Sequence, residues 1–457
     1  MNKIKIDSRL LFFTCMCLLL ASIGVLMVGG INYPLKQQTD AFLQIGIIAD
    51  LLEKGTYISY FGVYYYGVCA LMISIISGLN IFEGNAAVQY SIVLVNLSCF
   101  IAALIGLWRV GTRLGFSPLG SLLLLTLFAT NPVIQGQFRY VRCENLIVPL
   151  AIWLVYALLT ISGRGDTSLR KIIIAAFLLA LAITQKITAL ALLPSAIILL
   201  VYRRQPKLQL RPTIQFLVLS ICFTSVLWVL HYEHTGIPFY QSNAETYHYE
   251  GENFENKPTA DVMLRVNPVD AWRYPLQHEQ RDSMANILLL DLFGDYRETR
   301  YNYPVRGESL SERSSNSSAM ERARFGLVLS LLFFGIYAYA LWPSSGFQSL
   351  KETSRKGSML DKLCFGKISG LYKINMYYGF LLCALGHIAL LVVASYFNTF
   401  NPEKFDIIKW EYISWSLVFY LIPIVGKTSP TEANTAPGVT NVLLTVICVG
   451  GLIQSIY

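Results

Sequence analysis

Chemistry in this sequence rests on a small set of charged residues at the ends of apolar runs. Arg139-Tyr140-Val141-Arg142-Cys143-Glu144 brings two guanidinium groups and a carboxylate into one short stretch. The two arginines are three positions apart and share a face if the stretch is helical. Glu144 then either orients one of them or opens a helix, where an acid is favoured by the helix dipole. Thr184-Gln185-Lys186 separates two apolar runs, so Lys186 is either the tip of a bent-back turn or a ligand contact. Lys409-Trp410-Glu411-Tyr412 precedes another run; its aromatic rings suit a membrane-interface belt and also suit stacking on a sugar. Asp40 stands just ahead of Leu43, Ile47, Ile48, Leu51 and Leu52, which recur at helical spacing with Gln44, Asp50, Glu53 and Lys54 between them. That pattern is an amphipathic helix lying in an interface. Asp40 reads first as its N-cap and second as a base poised over the surface.

Lys36, Arg139, Arg142, Lys186 and Lys409 come from separate parts of the chain, yet each lies at or between the ends of apolar runs. A cation at that depth is costly unless paired or solvated. Singly, each can extend its head into lipid headgroups. As a set on one membrane level they suit an anion better, above all a phosphate joining a lipid tail to a polar head.

These residues are positioned by a strongly apolar chain. Of 457 residues, 54% are hydrophobic and 14% charged, where a soluble protein carries roughly a quarter charged residues. The formal charge of +8 is spread out, without the basic, aromatic-interleaved block that would point to nucleic acid. The nine cysteines fall mostly inside apolar runs and form no C-x-x-C pair, so they read as small core residues and give no zinc or disulfide framework. Lys3, Lys5 and Arg9 precede an apolar run to about residue 31, too long for a cleaved signal peptide and suited to a retained first span with a cytoplasmic N-terminus.

Apolar runs at 10–31, 61–79, 87–108, 118–134, 144–162, 171–185, 187–202, 213–232, 325–343, 375–396, 411–426 and 437–456 approach the roughly 20 residues that cross a bilayer. Strict alternation would place many arginines outside, against the positive-inside rule. If 61–79 lies along the outer surface, the cytoplasmic side holds 19 Lys/Arg and the outer side 7, leaving aside one long loop. The fold class expected is therefore an all-α polytopic membrane protein with about eleven transmembrane helices plus outer juxtamembrane amphipathic helices. Its parts are an N-terminal membrane module (1–232) whose first outer loop (32–86) holds the juxtamembrane helices, a long outer loop (233–324) capping the site, and C-terminal helices (325–457). The stretch 346–370 is basic and suits anionic headgroups.

With these features in place, the layout resembles the GT-C superfamily of membrane glycosyltransferases, near the bacterial relatives of protein O-mannosyltransferases and of the lipid A aminoarabinose transferase. Thr39-Asp40-Ala41-Phe42 through Leu51-Leu52-Glu53-Lys54-Gly55 resembles the acidic motif on their first outer loop. Arg139 to Glu144 resembles their outer Arg-x-x-Arg-x-Glu/Asp stretch, Thr184-Gln185-Lys186 their short Thr-Lys turn, and Lys409 to Tyr412 their late basic-aromatic motif. Two departures stand out. Many relatives carry adjacent acids where Asp40 is followed by Ala41, and the Pro-Pro that often opens the second juxtamembrane helix is replaced by Tyr60-Phe61-Gly62-Val63.

The resemblance implies a polyprenyl-phosphate-linked sugar as donor and a lipid, glycan or protein as acceptor, at the outer, periplasmic face of a bacterial cytoplasmic membrane. Asp40 would be the general base. Arg139, Arg142, Lys186 and Lys409 would bind the phosphate, whose charge grows as the glycosidic bond breaks. Glu144, Glu411, Tyr412 and His248 would support the site or contact the acceptor, as would His278 in the same long loop. The simplest scheme is a single displacement with inversion. Some relatives bind a divalent metal; no dedicated cage is visible in this sequence. A transporter or flippase of lipid-linked sugars, or a non-catalytic binder, is the competing class. A transport path needs polar residues through the bilayer, whereas the ionisable residues here gather at one face. A polymerase or ligase of another membrane fold also places arginines in outer loops, but does not require the acid after the first span.

Overall fold

A computed structural model describes residues 8–32, 41–55, 63–82, 84–162, 168–201, 210–235, 268–273, 289–290, 292–294, 317–341, 379–390, 414–428 and 439–456. Asp40, His248, His278, Lys409, Glu411 and Tyr412 lie outside these residues, as do Lys36, most of the 233–324 loop and the 346–370 stretch.

Every regular element among the described residues is helical. The first are α1 (Ser8–Asn32), α2 (Ala41–Lys54), α3 (Val63–Gly78), α4 (Gly84–Arg113), α5 (Pro118–Ala129), α6 (Pro132–Arg139) and α7 (Glu144–Ser162). Then come α8 (Leu169–Gln185), a 3-10 turn at Ile187–Ala191, α9 (Leu192–Val201) and α10 (Leu210–Thr235). Helices at Ser317–Leu341, Gly379–Leu390, Leu417–Thr428 and Val439–Ile456 follow.

Five of these helices are long and apolar enough to cross a bilayer, in α1, α4, α7, α10 and the 317–341 helix, and the bent pair α5–α6 makes up to six. Shorter apolar helices cover 64–78, 187–200, 379–390, 414–426 and 440–455. The chain is a helical polytopic membrane protein. Its lipid-facing character shows in the exposure of large apolar side chains such as Phe13, Leu20, Ile105, Ile221 and Leu331 along these helices. With as much hydrocarbon outside as inside, the helices are held together by packing and buried polar bonds rather than by expulsion from water. The 16 residues of α3 rise only about 24 Å, short of a hydrocarbon core of about 30 Å.

The run 118–134, expected as one span, is divided. Ser117 caps α5 by accepting from the Gly120 N–H at 3.1 Å, with Pro118 in the first turn. The helix stops at Thr130, where Asn131 and Pro132 begin α6 at 59° to α5. The physical cause is local: Pro132 has no N–H to give and disfavours helical geometry at Asn131. Asn131 is extended instead, and its side chain caps α6 through the Val133 N–H at 2.9 Å. Gly451 of the last helix lies against this bend, where a Cβ would stand 2.5 Å from the Thr130 carbonyl oxygen.

The interior is built from α4 on α7, α7 on α8 and α8 on α10, with α5 set between α1, α4 and the 417–428 helix. Phe100, Phe128 and Phe138 meet at its centre, with the Phe100 and Phe138 rings edge to face at 5.3 Å. A second apolar cluster contains Ile47 and Ile48 of α2, Tyr65, Tyr66, Cys69 and Ile73 of α3, Ile92 and Val95 of α4, and Val141 and Cys143. It joins the amphipathic α2 to the α6–α7 connection.

Candidate functional site

The connection from α6 to α7 is where the basic motif lies, and it is not helical. Tyr140 ends α6 in an extended conformation (φ −93°, ψ 157°), and α7 begins at Glu144. The helical face that the spacing of Arg139 and Arg142 suggested is therefore broken, and the two side chains go to different places. The Arg139 guanidinium donates to the Ser455 carbonyl at the end of the 439–456 helix. It lies over Gly29 of α1, where a Cβ would come within 2.7 Å of Nε. A cation at a helix C-terminus is favoured by the dipole, so Arg139 ties α6 to α1 and the last helix.

Arg142 turns the other way. Its guanidinium stands over the Tyr140 ring at 5.0 Å, and its charge acts on the Glu144 carboxylate. Lys186 reaches the same carboxylate: its Nζ donates to Glu144 Oε1 as an ion pair, with side chains only 14% and 7% exposed. The second oxygen, Oε2, accepts from the Cys143 thiol at 3.4 Å. Burial, then the charge of Glu144, pushes the Cys143 thiol well above its usual range, so it stays protonated and is no nucleophile. The sequence motifs of Arg142, Glu144 and Lys186 thus come together at the Lys186–Glu144 ion pair.

Lys186 owes its place to a break in the chain. It is extended (φ −157°, ψ 129°) between the last residue of α8 and the 3-10 turn. Its backbone N–H still closes on the Ala182 carbonyl at 3.3 Å, and its carbonyl accepts from Ala189 at 2.9 Å.

Behind the charges lies a set of buried amides that the sequence reading did not single out. Asn96, in the middle of α4, accepts on Oδ1 from the Tyr65 hydroxyl at 2.7 Å and from Asn145 Nδ2 at 2.8 Å. Asn96 Nδ2 donates to the Tyr140 carbonyl at 3.0 Å, and Asn145 Nδ2 donates to the same oxygen at 2.7 Å. Gln137 Nε2 donates to Asn145 Oδ1 at 3.0 Å. The Tyr65 N–H, near the start of α3, donates to Gln185 Oε1 at 3.0 Å. The available signal was a lone Asn inside the apolar run 87–108, since a polar side chain at membrane depth needs a partner.

Asp50 and Lys54 form an exposed ion pair one turn apart on α2, at 2.7 Å. It belongs to the polar face of that helix and is separate from the Glu144 centre. Among the described residues no three His, Cys, Asp or Glu side chains gather to hold a metal ion.

No family model matches this sequence, and no curated protein matches it. Among solved structures, the chain is similar to the crystal structure of ArnT from Cupriavidus metallidurans bound to undecaprenyl phosphate. The identity is 10%, the match covers 90% of this chain and 77% of that one, and the TM-score is 0.36. At that level the class of protein rests on the helices themselves.

Proposed function

We propose that this protein is a membrane glycosyltransferase that moves a sugar from a polyprenyl-phosphate donor to an acceptor at the outer face of a bacterial cytoplasmic membrane. The observation that carries the proposal is the buried ion pair of Lys186 with Glu144, two residues from Arg142, which draws cations from two separate chain breaks to one place. Glu144 fixes the lysine in place. Cations held in a region of low dielectric act strongly on an incoming anion. The GT-C resemblance of the flanking motifs supports a lipid-linked phosphate as that anion.

In this reading Arg142 and Lys186, with Lys409, hold the donor phosphate. Asp40 takes the proton from the acceptor hydroxyl as that oxygen attacks the anomeric carbon. The bond from that carbon to the phosphate oxygen breaks, and the electron pair leaves with the polyprenyl phosphate. A single displacement inverts the anomeric centre. The cations stabilise the departing phosphate more than the bound donor, because its charge rises in the transition state. Arg139 has the structural task described above.

The test is transfer of radiolabelled sugar from short-chain polyprenyl-phosphate sugars in membranes holding the parent or Asp40→Asn, against total native lipid and glycan acceptors. The proposal expects transfer by the parent and its loss in Asp40→Asn, with folding and donor binding kept. Equal transfer by both would remove Asp40 from the role of base. Donor binding without transfer by the parent would favour a transporter or binder of lipid-linked sugars.

A further inference from the structure

The chain of buried amides from α3 to α8 ends next to both members of the ion pair. Gln185 is fully buried and immediately precedes Lys186; Asn145 is fully buried and immediately follows Glu144. The side chains of both are occupied with other elements. Gln185 Oε1 accepts the Tyr65 N–H, one of the first amides of α3, which have no partner within their own helix. Gln185 is thus an N-cap supplied to α3 from α8. Asn145 Nδ2 divides its two hydrogens between Asn96 Oδ1 and the Tyr140 carbonyl, which fixes the extended link that carries Arg142. The Tyr65 hydroxyl closes the loop on Asn96. The atoms concerned are buried, so each bond is strong and each loss leaves a polar group without water to replace its partner.

We propose that Gln185, Asn145, Asn96 and Tyr65 are positioning residues that set Lys186 and Arg142 at the spacing a lipid phosphate requires. They tie the site to α3. This rests on the reading of the Arg142–Glu144–Lys186 centre as a phosphate site. None of the four need touch the ligand. Their action is on where Lys186 leaves α8, through the neighbouring Gln185, and on where Arg142 leaves the α6–α7 link, through Tyr140 and Asn145.

The test uses the full chain in detergent, with undecaprenyl phosphate as probe and undecaprenol, which has the same tail without phosphate, as control. Thermal protection is titrated for the parent, Lys186→Ala, Tyr65→Phe, Gln185→Leu and Gly451→Ala. Tyr65→Phe keeps the buried ring and removes only the hydroxyl; Gly451→Ala crowds the Thr130 carbonyl at the α5–α6 bend, where none of the four lies. Protection of the parent by undecaprenyl phosphate but not undecaprenol, and its loss in Lys186→Ala, is expected. Tyr65→Phe and Gln185→Leu should each raise the half-saturating concentration about tenfold, the size of one lost buried hydrogen bond. Gly451→Ala should lower the melting temperature yet bind like the parent, which separates the positioning role from general loosening of the fold. If Lys186→Ala loses the probe while Gln185→Leu and Tyr65→Phe keep the parent's affinity, the positioning role is overturned and the phosphate site stands. If the parent shows no preference for undecaprenyl phosphate over undecaprenol, the phosphate site falls and the positioning role falls with it.

Discussion

Glu144 and Lys186 are 42 positions apart in sequence and reach each other only because two helices are interrupted. Desolvating either charge alone would cost several kcal/mol, and the pair offsets this by mutual attraction. Removing one partner keeps the other buried without that attraction. Glu144→Gln is therefore expected to destabilise the protein by about 3 kcal/mol. The double variant Glu144→Gln/Lys186→Met should lose less than the sum of the two single variants, because the attraction between the two is counted in each single loss. Thermal unfolding in detergent, run as a double-mutant cycle, measures both. Additive losses would mean that the two side chains do not interact. The legibility of this centre was partial for a physical reason. Arg142, Glu144 and Lys186 are visible as charges at the ends of apolar runs, but their pairing depends on two helix breaks. Helical spacing alone grouped Arg139 with Arg142; the extended backbone at Tyr140 sends Arg139 to the Ser455 carbonyl.

The breaks themselves are written in short-range chemistry at the scale of single elements. Asn131-Pro132 inside an apolar run is a turn signal, yet the hydropathy of 118–134 reads through it as one span. The cost of ignoring it is the direction of α6, which turns by 59° and carries Arg139 toward the last helix. Gly451 is where that helix passes the bend, with a Cβ site 2.5 Å from the Thr130 carbonyl oxygen. Gly451→Ala must push two backbones apart and is expected to cost about 1–3 kcal/mol, seen as a fall in detergent-phase Tm. A variant as stable as the parent would show that the last helix does not press on the bend. The helix starting after Asp40 was plain from its periodicity: Ile47 and Ile48 are buried against α3, and Glu53 and Lys54 are exposed. The amide network was not legible, because Asn96, Asn145 and Gln185 acquire meaning only when α4, α7 and α8 are brought together.

At the scale of the whole molecule, the described helices follow the apolar runs closely, from α1 through the 439–456 helix. Hydropathy is a strong signal when lipid is the solvent, since every span must satisfy its backbone internally. The distribution of Lys and Arg along the chain suits Lys54 on the outer face and Arg109 in the cytoplasm. Both are exposed in the structure, at the end of α2 and on the last turns of α4. In a background lacking native cysteines, Lys54→Cys should react with a membrane-impermeant maleimide in intact cells, and Arg109→Cys only after permeabilisation. The opposite pattern would invert the topology and put the Arg142–Lys186 centre on the wrong side for a donor displayed outside.

Whether this centre handles the donor phosphate is decided by the rate of sugar transfer from a polyprenyl-phosphate donor by the parent, Arg142→Ala and Arg139→Ala, each at saturating donor. The account predicts that Arg142→Ala lowers kcat by about 10²–10³, the size of one lost charge-stabilising donor in a transition state. Arg139→Ala, which removes the donor to the Ser455 carbonyl, should lower thermal stability while the folded fraction keeps a kcat within a few-fold of the parent. Equal kcat for the parent and Arg142→Ala would contradict the account.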